Sequence, residues 1–172
     1  MTAPLRRVEP EALTAAAFAP FGDVIASDTA REVMQINDGH TERYHDLARL
    51  DLTGQSGTPL VSIFRSTPLA APIVVTTLEC HPLSSQAFYP LSGRPYLVVV
   101  APPGEFDPGA VRVFRAGPHQ GVNYAAGTWH HYSLALEAVS DFLVIDRGGP
   151  EDNCRTVDLA PADRFAIVPG PA

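Results

Sequence analysis

Apolar residues recur along the chain in short runs of strand length, and few of them keep helical spacing. The runs are "EVMQIN" (32–37), "LVSIFRS" (60–66), "IVVTTLECH" (73–81), "QAFYPL" (86–91), "PYLVVVA" (95–101), "AVRVFRA" (110–116), "TWHHYSLAL" (128–136), "SDFLVID" (140–146) and "RTVDL" (155–159). Runs of this length, several of them alternating apolar with polar, read as β-strands. Turn-forming stretches such as "SGRP", "APPGEFDPG", "AGPHQG" and "RGGPEDN" separate most of them. Near the start, "EPEALTAAAF" (9–18) predicts one short helix with Pro10 in its first turn, and "FGDVIAS" predicts a strand after a glycine stop. Many short strands between Gly/Pro turns, with no regularly alternating helices, predict an all-β fold. The expected form is an antiparallel β-barrel of the jelly-roll type, carrying one short N-terminal helix.

Composition narrows the picture. A length of 172 residues predicts one domain over 1–172, large enough to bury about 70% of its unfolded surface. A net charge of −7 speaks against a nucleic-acid surface, which needs a basic stripe. All twelve basic residues are arginine. Without lysine there is neither Schiff-base chemistry nor a phosphate-loop lysine, while arginine remains available as a bidentate carboxylate partner. Cys80 and Cys154 form no Cys-x-x-Cys motif and suggest reduced thiols. Charged residues interrupt the N-terminus, and "YLVVVA" is too short to span a bilayer. A soluble, cytoplasmic protein with no membrane partner is expected.

Polar chemistry concentrates in three places. If "IVVTTLECH" is a strand, Thr77, Glu79 and His81 share one face, and Leu78 and Cys80 the other. Glu79 and His81 are then about 7 Å apart, close enough to converge on one ion. In "GTWHHYS" only one of His130 and His131 can face a barrel interior. The third cluster, "INDGHTERYHDLARL" (36–50), reads as a polar functional loop. Within it Arg43 suits a substrate carboxylate, His45 suits proton transfer near neutral pH, and Asn37 and Tyr44 can contact substrate. Asp141 and Asp146 bracket the apolar "FLVI", so one can reach inward while the other caps the strand.

The spacing Glu79-Cys80-His81, four residues, Gln86, six residues, Gly93 resembles the first cupin motif, with Glu in place of its first His and Gln in place of its Glu. "AAGTWH" (125–130) resembles the second motif, with His130 at its last ligand position. More closely, "INDGHTERYHDLARLDL", "LECHPLSSQAFYPLSG", "QGVNYAAGTWHHYSLAL" and "DFLVIDRGGPEDNC" resemble, in order, the ureidoglycolate lyases of bacterial purine catabolism. The resemblance runs from about residue 8 to about residue 160 and includes "FGDVI" near the start.

That resemblance implies a cupin-type barrel, a homodimer, nickel as cofactor, and cleavage of (S)-ureidoglycolate to glyoxylate and urea. Its ligand positions map to Glu79, His81, Gln86 and His130. Candidate catalytic residues are His45, His81 and His130; candidate substrate-binding residues are Asn37, Arg43, Tyr44 and Gln86. The alternatives are a metal-free site using Glu79 and His81 as an acid/base pair, a cupin that binds a small carboxylate without catalysis, and a hydrolase that releases ammonia from the same substrate.

Overall fold

The computed structural model describes residues 5–168. Two sheets face each other. One has five strands, in the order Gly22–Ile25, Gly121–Tyr124, Gln86–Pro90, Ser140–Gly148 and Thr58–Ser66, all antiparallel. The other runs Arg155–Asp158, Thr77–Cys80, Trp129–His130, Tyr96–Ala101, Arg112–Ala116 and Glu11–Ala12, with Leu134–Ala135 also paired to Tyr96–Ala101. The expected all-β architecture is present, and the facing sheets fit a jelly-roll sandwich. They do not close into one continuous barrel among the described residues.

Strand alternation explains how two cores arise from one set of strands. Along Tyr96–Ala101, the side chains of Tyr96, Val98 and Val100 turn toward the five-stranded sheet, where Phe88, Val122, Tyr124, Phe142 and Val144 meet them. The intervening Leu97, Val99 and Ala101 turn outward onto a second core with Ile73, Val75, Leu78, Cys80, Phe165 and Ile167. That second core is roofed by a three-stranded sheet of Arg6–Val8, Phe165–Ile167 and Ile73–Val75. Tyr96–Ala101 is therefore buried on both faces, which is why it reads as an unbroken apolar run.

Several elements differ from the expectation. The predicted helix over 9–18 is reduced to Ala15–Phe18, capped by Thr14, whose hydroxyl accepts from the Ala17 N–H. Upstream, Glu11–Ala12 pairs instead with Phe114 and Arg115, and Glu11 makes a two-pronged ion pair with Arg112. A partner more than a hundred positions away overrides the local preference. The run 73–81 is two strands, Ile73–Val75 and Thr77–Cys80, which belong to different sheets. The run 128–136 is likewise split. The polar segment expected as a loop is in part a hairpin, Glu32–Ile36 with Thr41–His45, that pairs with neither main sheet.

Gly22 has a backbone reason. At φ +143° it lies so near the Asn123 carbonyl that a Cβ there would overlap that oxygen. Phe18, Phe21 and Phe114 then pack edge-on, with ring centroids 5.7–6.1 Å apart, and plug one end of the inner core. No helix of the described residues is long and apolar enough to cross a membrane.

Candidate active site

Glu79 lies opposite His130 in the antiparallel register. Because Leu78 and Cys80 belong to the outer core, Glu79 faces the interior of the sandwich, as alternation predicts. Trp129 also packs in the outer core, so its neighbour His130 turns inward, only 1% exposed. His131 is buried as well, its N–H donating to the Val99 carbonyl. Of the adjacent histidines, His130 is the one beside Glu79 and His81. One ligand atom each from Glu79, His81 and His130 lies within 4.8 Å of the others.

The hydrogen bonds fix the tautomers. His130 Nδ1 is 2.9 Å from the Thr128 carbonyl and His81 Nδ1 is 2.7 Å from the Asn153 carbonyl. A carbonyl only accepts, so each Nδ1 carries the proton and each Nε2 keeps its lone pair. Both Nε2 atoms are buried without a hydrogen-bond partner among the described residues. His130 Nε2 stands 3.6 Å from Glu79 Oε1. With the proton on Nδ1 this is no hydrogen bond; two electron-rich atoms face each other. The arrangement is repulsive until a cation lies between them, and the donor set of two imidazoles and a carboxylate suits a divalent transition metal.

Burial, with the nearby His81 and His131, pushes His130 down to about 3 despite its hydrogen bond to Thr128. The folded protein thus keeps His130 neutral while the unfolded chain protonates it near 6.5. The unfolded state binds the extra proton between those values, so the His130 contribution to stability is complete above about pH 6.5 and declines as pH falls toward 3. Thermal melting followed from pH 7 to 4 is expected to show a falling Tm. In H130Q that fall should be shallower, and an equal slope would show that His130 is not the group responsible.

Around this triad lie residues that the spacing alone does not reveal. The Tyr124 ring stacks on His130 at 4.3 Å and 10°, and burial holds its phenol protonated. Asn153 ties the loop after Gly148 to the site: its Oδ1 accepts from the Leu83 N–H and its Nδ2 donates to Ser84 Oγ, while its carbonyl orients His81. Cys154 Sγ donates to Glu79 Oε2 over 3.8 Å. Gln86, at the expected fourth ligand position, donates from Nε2 to Asp146 Oδ2 at 3.4 Å. A pocket of about 260 Å³ opens here, lined by His81, Gln86, Asp146, Arg147 and Asn153 among others. Asp146 is one of the two acids that bracket "FLVI", but with Phe142 and Val144 on one strand face and Leu143 and Ile145 on the other, the sequence does not say which acid turns inward. The carbonyl of Asn153 carries no sequence signal.

The hairpin residues are elsewhere. Asn37 sits in the tight turn at φ 53° and donates to Thr41 Oγ1. Arg43 is exposed opposite Met34, and Tyr44 is exposed with its hydroxyl donating to Glu42 Oε2. His45 is half-buried opposite Glu32, its Nδ1 buried without a partner. None of the four lines the pocket beside His81. Within one chain, therefore, Glu79, His81, Gln86 and His130 come together, and Asn37, Arg43, Tyr44 and His45 do not join them.

A jelly-roll sandwich with a Glu-His-His triad on its inner wall fits a cupin-type site that could hold a metal ion. A family model described as ureidoglycolate lyase matches residues 5–165, and the chain belongs to that family. Relatives bearing the name ureidoglycolate lyase include proteins of Burkholderia cepacia, Burkholderia mallei (strain NCTC 10229) and Brucella anthropi. They are 56%, 54% and 55% identical, over 91%, 87% and 83% of this chain and 87%, 87% and 84% of theirs.

Proposed function

We propose that this chain is a carbon–nitrogen lyase that cleaves (S)-ureidoglycolate to glyoxylate and urea in allantoin breakdown. The observation that carries the reading is the convergence of two carbonyl-locked imidazoles and one carboxylate. Family membership supplies the substrate. The substrate is a carbinolamine: one carbon bears a hydroxyl, a carboxylate and the ureido nitrogen. Its cleavage removes the hydroxyl proton, breaks the C–N bond, and leaves the electron pair on a nitrogen that takes up a proton. No water is consumed and no nucleophile is required.

Glu79, His81 and His130 would hold a divalent metal, nickel in our reading. When bound, that metal supplies Lewis acidity, which lowers the pKa of the substrate hydroxyl. The chain's part is to aim both imidazoles, through the Thr128 and Asn153 carbonyls and the stacked Tyr124 ring, while burial keeps His130 neutral. Gln86, held by Asp146, is assigned to the substrate.

The substrate carboxylate calls for a guanidinium, and the pocket's own arginine is committed. Arg147 donates to the Gly54 and Gln55 carbonyls and pairs with Glu151 at 2.7 Å. We assign the clamp to Arg43 and proton transfer to His45, with Asn37 and Tyr44 beside them, all delivered on the hairpin of a second subunit. Support for a homodimer comes from the edge strand Thr58–Ser66. Among the described residues it pairs on one side only, and it exposes Leu60, Val61, Ile63 and Phe64, with Val61 at 70% and Ile63 at 55%. A long apolar edge of this kind is covered in most proteins. We place the enzyme in the cytoplasm.

The assay is incubation of purified, nickel-supplemented protein with (S)-ureidoglycolate, followed by quantification of glyoxylate, urea and ammonia. Equal glyoxylate and urea, lost on chelation, are the expected result. Ammonia in place of urea would make the protein a hydrolase, and no turnover would leave a binding cupin.

A further inference from the structure

We propose that Asp146 and Gln86 form the subsite for the ureido end of the substrate, each accepting one N–H of its terminal –NH2 group. The proposal rests on the lyase reading above and specifies how the substrate is oriented in the pocket. Asp146 lies one step beyond the paired residues Ile145 and Ala87, which brings it level with Gln86 across two neighbouring strands. Phe142 and Val144, which precede it on the same face, pack in the inner core, so Asp146 faces inward at the pocket end of that core. Gln86 precedes inward-facing Phe88 by two residues and is 6% exposed.

The internal hydrogen bond between them uses one atom of each group. Gln86 Nε2 donates to Asp146 Oδ2, which leaves Gln86 Oε1 and Asp146 Oδ1 as acceptors. Both of these oxygens are buried and have no partner among the described residues. A buried acceptor without a donor is costly, and two side by side in a pocket wall call for a ligand that brings two N–H groups. Asp146 is not part of the Glu79, His81 and His130 group, so its free oxygen is not simply a further triad ligand.

The chemistry selects one end of ureidoglycolate. Its carboxylate and hydroxyl ends are anionic or oxygen-rich, and the Asp146 charge repels a second carboxylate. The terminal –NH2 is uncharged, carries two N–H donors, and accepts little. Placing it on Asp146 and Gln86 turns the carboxylate and hydroxyl toward the triad, where the C–O and C–N bonds change. Arg147 does not compete for Asp146, being held by Gly54, Gln55 and Glu151.

In D146N an –NH2 donor replaces one of the two carboxylate oxygens, so either Gln86 Nε2 or the substrate N–H faces a donor where it had an acceptor. Loss of a hydrogen bond to a charged, buried acceptor corresponds to about a ten- to hundredfold effect. The test uses nickel-loaded wild type, D146N and Q86M, with binding of 13C-labelled urea and of glyoxylate read separately by NMR line broadening. We expect both variants to lose urea binding and keep glyoxylate binding, with KM for ureidoglycolate raised about ten- to hundredfold. Urea bound by both variants as by the wild type would overturn the subsite, as would a wild type that binds glyoxylate and not urea. Q86M decides the question if D146N melts far below the wild type. Failure of the wild type to cleave ureidoglycolate would remove the lyase reading alone, because the urea measurement needs no turnover.

Discussion

H130A is expected to lose both tight metal binding and activity. His130 Nε2 is one of three donors, and alanine leaves only Glu79 and His81 of the group. Changes to groups that merely orient a metal ligand cost about 10–100-fold in affinity or activity. Removing the ligand itself should exceed that range, so kcat/KM should fall by more than about a hundredfold. Titration of the apo-protein with nickel by calorimetry gives a second readout that does not depend on turnover. Retained nickel affinity in H130A would mean that the ion is held elsewhere. Full activity of chelated wild type would favour the metal-free alternative, with Glu79 and His81 as the acid/base pair.

A V61D/I63D double variant is expected to run as a monomer in light scattering and to lose most activity. Neighbouring strand residues two apart share a face, so the two new carboxylates place like charge at the centre of the exposed edge. If the hairpin acts across the interface, the site is shared, and a mixing experiment shows it. H130A and R43A should each be inactive alone. Co-refolded in equal amounts, they form mixed dimers for half of the population, each with one intact site, which restores about a quarter of wild-type activity. No recovery on mixing, with dimers present, would place Arg43 and its neighbours outside the partner's site.

Much of the fold was legible along the chain because strand alternation is a local property. Runs such as "LVSIFRS" and "SDFLVID" form the nine-residue strands Thr58–Ser66 and Ser140–Gly148. The Glu79-x-His81 spacing alone places both side chains on one face, whereas "TWHH" leaves open which of His130 and His131 turns inward, and only the resemblance to the second cupin motif points to His130. Other strands carried too little local signal. Arg6–Val8 and Phe165–Ile167 form only as a parallel pair, and each is three residues long. The helix was overestimated because an ion pair to Arg112 captures Glu11 into a sheet, and no local pattern encodes that contact.

The sequence by itself determined a β-rich chain, an inward Glu79 and a small set of candidate ligands, since period-two alternation and turn chemistry act over a few residues. Tertiary structure decided that His81 and His130 keep their protons on Nδ1, because the carbonyls of Asn153 and Thr128 that lock them are backbone groups indifferent to residue type. It also decided that Asp146, and not Asp141, reaches inward: Asp141 is taken by Arg65 on the outer face, while Asp146 meets Gln86. And it left the Asn37–His45 hairpin clear of the pocket in its own chain. Where a segment sits relative to residues far away in sequence depends on sheet pairing, which no spacing within the segment records.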